Sequence, residues 1–391
     1  ITAEHGKPFT QGQAEVIRGA EFFEWDAGEA TRTYGRVIPS RPGVKYVVHH
    51  QPIGPVAAFS PWNFPMSQPA RKVAGAVASG CSIILKAAEE TPAGAMHIAK
   101  AFHDVGLPPG VLNLVFGVPA DISSYLIPDD RTRLVAFTGS TAVGRHLTIL
   151  AAEHMTPVLM ELGGHAPVIV CEDTDVAAAA QSSAIRAMRN AGQVCTSPTR
   201  FFVHDSVFDE FLDGITKRTA ETIVGDGMQA GVEMGPLAND RRLGAMADLV
   251  GDAVDAGAEL TTGGSRIGSS GYFFEPTILA NVPDHARIMQ EEPFGPVAVV
   301  NPVDSLDTAI ERANSVPYGL AAYGFTNRAD YVDQMVDRVE VGNLSINTLE
   351  ASLPETPFGG MKSSGYGREG GTEGLHHYTV IKNVSHSIEI V

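Results

Sequence analysis

Between about residues 55 and 170 the chain alternates short apolar runs with longer stretches in which apolar residues recur at helical spacing. The runs at 56–60, 82–86, 111–116, 134–138, 158–161 and 167–170 are built largely from Val, Ile, Leu, Phe and Ala and read as strands. The Ala- and Gly-rich stretches between them, such as 68–79 and 93–105, read as helices. This alternation predicts an open, mainly parallel sheet covered by helices on both faces.

A second alternating block follows residue 195, with strands at 200–204, 297–301, 321–326 and 343–347, a helix at about 206–223 and further helices between them. It predicts a second α/β domain. Two segments stand apart from both blocks. At 35–50, Val37-Ile38 and Tyr46-Val47-Val48 flank Pro39-Ser40-Arg41-Pro42-Gly43, the pattern of a hairpin. At 378–391 the chain again alternates like a strand. Such strands are edge liabilities unless they pair with each other or with another chain, so an oligomer is expected.

Composition narrows the function. At 391 residues, with 44% hydrophobic and 19% charged positions, the chain is an ordinary globular protein of two or three domains. A formal net charge of −17 argues against nucleic acid or an anionic membrane surface as partner. It does not argue against an anionic substrate, for which one or two local arginines suffice. Cys81, Cys171 and Cys195 cannot make a disulfide framework, and no C-x-x-C pair points to zinc or redox cycling, so no metal is expected. A reducing, cytoplasmic setting is the default. Cys81 and Cys171 lie in apolar runs and read as core thiols. The chain opens on Ile1 in a helix-like pattern and shows no signal peptide, which reads as a fragment whose true N-terminus lies elsewhere.

Cys195 is different. It ends Asn190-Ala191-Gly192-Gln193-Val194-Cys195, a small, glycine-bearing approach that leaves room for a carbonyl to reach the thiol. Glu161 closes a strand and precedes Leu162-Gly163-Gly164; partial burial there would raise its pKa and suit it to general-base work, the alternative being a helix cap. Asn63, in Pro61-Trp62-Asn63-Phe64-Pro65, sits in a rigid loop after a strand, a place for an oxyanion donor or for a plain turn residue. Gly139-Ser140 follows a strand and opens a helix, where a phosphate could meet backbone N–H groups, although a helix cap explains it equally. Lys86 and Glu89 end another strand. They suit ribose hydroxyls, or a solvated strand end beside a helix capped by Thr91 with Pro92 in first position.

Together these segments resemble the aldehyde dehydrogenase superfamily. The ordered motifs are 61–65, 137–140, 161–164, 192–195, Glu291-Glu292-Pro293-Phe294-Gly295-Pro296 and Pro357-Phe358-Gly359-Gly360, spread over essentially the whole chain. The resemblance implies a Rossmann-type cofactor domain (1–31 and 52–163, lacking its first part), an α/β catalytic domain (164–371) and a small β oligomerisation element (32–51 and 372–391), assembled as a homodimer or homotetramer. It implies Cys195 as nucleophile, Asn63 as oxyanion donor and Glu161 as base for thioester hydrolysis. Trp62, Lys86, Glu89, Gly139, Ser140, Glu292 and Phe294 fall at cofactor positions, and Lys72 and Glu369 at positions of a proton relay. A carboxylate at Glu89 would repel a 2′-phosphate, so NAD is expected over NADP.

Within the superfamily the chain is most similar to succinate-semialdehyde dehydrogenases. Arg71, Arg189 and Ser352 match positions that hold the distal carboxylate, although elsewhere both arginines would pass as surface helix residues. Ser197 replaces the second cysteine that gives some members a disulfide switch, so redox gating is not expected. His165 stands where asparagine or lysine is commoner, with no role evident from sequence. Rivals are an acylating dehydrogenase that uses coenzyme A, which a resident base at Glu161 argues against, a dehydrogenase of another small or aromatic aldehyde, and a catalytically inactive relative.

Overall fold

The computed structural model describes residues 1–388, so the end of the expected C-terminal strand, 389–391, lies outside the described residues. The chain divides into two compact units. The first comprises residues 1–14, 162–351 and 359–365, and the second 15–161, 352–358 and 366–391. Among the described residues no helix is long and apolar enough to cross a membrane.

The first unit is built on a seven-stranded sheet in the order Glu259–Thr262, Thr277–Ala280, Val297–Val303, Pro198–His204, Ala166–Val170, Ala321–Phe325, Asn343–Ile346. Every neighbouring pair is parallel except the first. Its central strands are covered on both faces, which is why they read as unbroken apolar runs: Val168, Phe201, Phe202, Val203, Val299 and Val300 are all fully buried. The run at 167–170, which continues the first block in sequence, belongs to this sheet and not to that of residues 56–161. Sequence pattern alone does not find Glu259–Thr262 or Thr277–Ala280; the former is three-quarters polar with no buried residue, and glycine-rich chain separates the two.

The second unit carries a parallel sheet whose five longer strands run Val158–Glu161, Leu134–Thr138, Val56–Phe59, Ile83–Lys86, Leu112–Val115. In chain order this is 5-4-1-2-3, so the direction of winding reverses between the first strand, Val56–Phe59, and the fourth, Leu134–Thr138. Helices leave opposite faces at such a reversal, and the carboxyl ends of the two strands open a crevice suited to a dinucleotide. Register levels those ends, pairing Phe59 with both Lys86 and Phe137, and Thr138 with Glu161. A buried carboxylate, Glu15, accepts from the backbone N–H groups of Met66 (2.8 Å) and Ser67 (3.3 Å), anchoring the start of helix Ser67–Ala78.

This unit also holds a three-stranded antiparallel sheet, Arg36–Ile38, Val44–Pro52 and Thr379–Ser387. The expected hairpin and C-terminal strand therefore pair with each other, over nine residues from Thr379↔Pro52 to Ser387↔Val44. Val37, Ile381 and Val384 stay exposed on it.

Candidate active site

In the second unit, Asn63, Lys86, Ser140 and Glu161 all lie at or just beyond the carboxyl ends of the parallel strands. Asn63 is buried in the loop between Val56–Phe59 and helix Ser67–Ala78, next to the half-buried Trp62. Gly139 donates its backbone N–H to the Glu161 carbonyl at 3.1 Å. A Cβ on Gly139 would lie 2.4 Å from the tip of the Phe137 ring, so a larger residue there would have to displace that ring. Ser140 caps helix Thr141–Ala152, which follows strand Leu134–Thr138, accepting from Val143 N–H at 3.4 Å. Lys86 and Glu89 form an ion pair with each other, Lys86 buried and Glu89 half-exposed. Thr91 occupies the N-cap position and Pro92 the first turn, but the Thr91 hydroxyl is buried without a capping bond.

Glu161 is the unusual group of this unit. Its carboxylate is buried at the end of Val158–Glu161, and neither oxygen has a hydrogen-bond partner among the described residues. Burial, then the nearby Glu369 charge, hold its pKa well above the usual carboxylate range, against the opposing pull of Lys72, Arg71 and Arg368. Lys72 and Glu369 are themselves a buried ion pair at 2.9 Å. One residue before Lys72 on the same helix, Arg71 donates to the Ser352 hydroxyl. Its guanidinium lies between two rings, 4.1 Å from the centre of Phe22 and 4.8 Å from that of Phe358. That arrangement fixes the plane of a strong anion-binding group.

The first unit carries Cys195, Glu292, Phe294 and Arg189. The approach to Cys195 is three consecutive left-handed residues, Asn190 (φ 55°), Ala191 (φ 52°) and Gly192 (φ 67°). Only glycine adopts that conformation routinely, so the turn must be held from outside. It is: Asn190 N–H donates to the Gln11 side chain at 3.0 Å, Gln193 donates to the Asn190 carbonyl at 3.1 Å, and Ala238 N–H donates to Gln193 at 2.8 Å. Beyond the cysteine, the Tyr323 hydroxyl donates to the Thr196 carbonyl at 2.7 Å. Gly192 has no space for a side chain, because a Cβ would lie 1.9 Å from the Gly295 carbonyl oxygen. Cys195 is partly exposed, whereas Cys81 and Cys171 are buried, with thiols raised chiefly by burial, Cys171 to about 12. Of the three thiols, Cys195 alone is open to attack a substrate.

Glu292 accepts from Gly164 N–H at 3.0 Å. The residue is half-buried, and desolvation pushes its carboxyl up to about 7. Phe294 is held at φ 45°, and Arg242 lies 6.0 Å from its ring centre. Arg189 begins the turn to Cys195 and lines an open cavity of about 400 Å³ with Arg186, Arg218 and Glu233. His165 gains an account here. Its Nε2 meets the Ile288 carbonyl and its Nδ1 the Thr199 hydroxyl, both at 2.8 Å, and burial with Arg200 nearby holds its pKa well down. It is a neutral strut that joins strand starts to a short helix.

The description of the aldehyde dehydrogenase family matches residues 1–384. The chain belongs to the aldehyde dehydrogenase family. It is an enzyme of that family, with the family's α/β fold. A 4-(hydroxymethyl)benzenesulfonate dehydrogenase of Comamonas testosteroni is 49% identical over 379 residues, covering 97% of this chain and 79% of that protein. A succinate-semialdehyde dehydrogenase of Paenarthrobacter nicotinovorans is 42% identical, covering 98% of this chain and 86% of its own length. Among solved structures, succinate-semialdehyde dehydrogenase from Burkholderia pseudomallei superposes with a TM-score of 0.97 at 39% identity, over 99% of this chain and 80% of that one.

Proposed function

We propose that this aldehyde dehydrogenase oxidises an aldehyde carrying a distal acid group, succinate semialdehyde or a close analogue, to the carboxylic acid. The observation that carries the reading is the Arg71–Ser352 pair seated between the rings of Phe22 and Phe358. A guanidinium of fixed plane offers paired N–H donors to a planar acid group. Arg189 is proposed as a second cation for the same group. In the reaction, the Cys195 thiolate adds to the aldehyde carbon and Asn63 with the Cys195 N–H stabilises the oxyanion. Loss of hydride leaves a thioester on Cys195, and Glu161 takes a proton from the water that hydrolyses it.

A dinucleotide supplies the hydride acceptor. Its proposed contacts are Trp62, Lys86, Glu89, Gly139 and Ser140 from the second unit, and Glu292 and Phe294 from the first. The winding reversal and the helix start capped by Ser140 support a pyrophosphate in that crevice. NAD is proposed as the preferred cofactor, with NADP as the alternative, because a carboxylate at Glu89 beside the ribose would repel a 2′-phosphate. A homodimer or homotetramer is proposed through the three-stranded sheet, whose exposed Val37, Ile381 and Val384 favour being covered.

A second reading changes only the substrate. The relative at 49% identity is named for a benzenesulfonate, and the rings beside Arg71 would suit an aromatic body behind an acid group. The test is NADH formation with succinate semialdehyde, 4-formylbenzenesulfonate and an uncharged aldehyde, in wild type, Cys195→Ala and Arg71→Ala. Cys195→Ala should abolish turnover with all three. Arg71→Ala should raise KM for the acid substrates but not for the uncharged one, by the worth of a charge-assisted pair, roughly 1.5–3 kcal/mol. Equal losses on all three substrates would remove the acid clamp. The faster of the two acids decides between the readings.

A further inference from the structure

We propose that Asp26 receives the proton that Glu161 gathers, by way of the Lys72–Glu369 pair, and passes it through Glu29 to solvent along one face of helix Phe9–Ala30. The proposal rests on the reading of Glu161 as the hydrolytic base. In that step the water oxygen bonds to the acyl carbon, the carbon–sulfur bond breaks with its electron pair returning to Cys195, and one proton remains on Glu161. That proton must leave before the next cycle. Glu161 is only 3% exposed, so its carboxyl has little direct contact with bulk water.

An exit of acidic groups leads away from it. Phe22, Asp26 and Glu29 are spaced four and three residues apart and so share a helix face. That face lies over the relay at two points: Phe22 packs its ring on Arg71, and Trp25 Nε1 donates at 3.1 Å to the carbonyl of Gly371, two residues past Glu369. Asp26 is 5% exposed, and the charged groups acting on it are Glu369, Arg71 and Glu29. The buried Tyr378 phenol feels both Glu369 and Asp26. Burial first, then Glu369, push the Asp26 carboxyl up to about 7, with Arg71 opposing. A carboxyl poised there accepts and releases a proton at neutral pH. One turn on, Glu29 is also buried, and it bonds Arg32 at 2.6 Å, whose side chain is 58% exposed. The sequence of burial thus runs from a sealed carboxylate to open water within two helical turns.

The experiment compares the first-turnover burst of NADH with steady-state turnover, across pH, in wild type, Asp26→Asn, Asp26→Glu, Glu29→Gln and Glu161→Gln. Asp26→Asn should keep the burst, lose the inflection of turnover near neutrality and slow turnover roughly tenfold, less than the loss of a general base itself. Asp26→Glu should restore the profile, and Glu29→Gln should slow turnover by a smaller factor. Wild-type turnover and pH profile in Asp26→Asn, with Glu161→Gln inactive in steady state, would overturn the exit path and leave the base reading standing. A lost burst in Asp26→Asn that Asp26→Glu does not restore would make Asp26 structural and overturn the path equally. Normal turnover in Glu161→Gln would instead overturn the base reading.

Discussion

Each unit buries a charge completely, and the two charges are treated in opposite ways. In the first unit Arg200 is fully buried on a central strand and donates to three backbone carbonyls: His165 at 3.0 Å, Arg312 at 3.1 Å and Ala313 at 3.0 Å. Two of those lie at the end of helix Leu306–Asn314, where the Arg312 carbonyl also accepts from the Ser315 hydroxyl at 2.8 Å. In the second unit Glu161 is buried with no partner on either oxygen among the described residues. Taking a charge out of water costs several kcal/mol unless hydrogen bonds offset it. Arg200 has its offset and holds elements together. Glu161 lacks one, and a carboxylate kept short of hydrogen bonds retains its appetite for a proton. Burial alone does not mark a functional group; burial with unmet bonding capacity does.

The comparison is sharpest at Glu161→Gln. Turnover should fall by roughly 10²–10⁴, the usual worth of a general base, while thermal stability holds or rises because a desolvated carboxylate has gone. A large drop in Tm would mean that Glu161 is structural after all. Arg200→Met is the converse. It takes the Arg200 donors from three carbonyls, of which that of Arg312 keeps a partner in Ser315, and should cost about 3–5 kcal/mol in urea unfolding of the domain that contains it, with the chemistry at Cys195 intact in whatever remains folded. Unchanged stability would dissolve the distinction between the two sites. The smallest effect is in the pH dependence set by Asp26. Its folded pKa of about 7 lies above the ordinary aspartate value of 3.8, so between those values the folded state binds more protons than the unfolded one. Its contribution is therefore full at low pH and is lost as pH rises through 7. Asp26→Asn should match wild type in urea midpoint near pH 4 and exceed it above pH 8, and parallel midpoints at both would contradict the shift.

What could be read from sequence follows from how local each signal is. Leu134–Thr138 and Ala166–Val170 are apolar on both faces and announce themselves as buried strands, but nothing local says that they belong to different sheets. Cys195, Glu161 and Asn63 stand in short motifs with glycine, tryptophan or proline neighbours, and were legible for that reason. Asp26 was not. In Glu24-Trp25-Asp26-Ala27-Gly28-Glu29 it looks like one more solvated helix acid, and its burial depends on residues 71 and 369–371, far off in the chain. His165 stands out in its motif, but its partners Thr199 and Ile288 are 34 and 123 residues away. The handedness of Asn190 and Ala191 carries no sequence signature, since neither residue type demands it.

The pairing of Val44–Pro52 with Thr379–Ser387 sets a timetable for biosynthesis. More than 300 residues separate the two strands, which at about 5–20 residues per second is on the order of tens of seconds on the ribosome. Throughout that interval the earlier strand has only the three-residue Arg36–Ile38 beside it and offers its other edge to any extended chain nearby. The nascent protein is most exposed to mispairing at this edge, and a chaperone that shields extended segments would have its clearest task there.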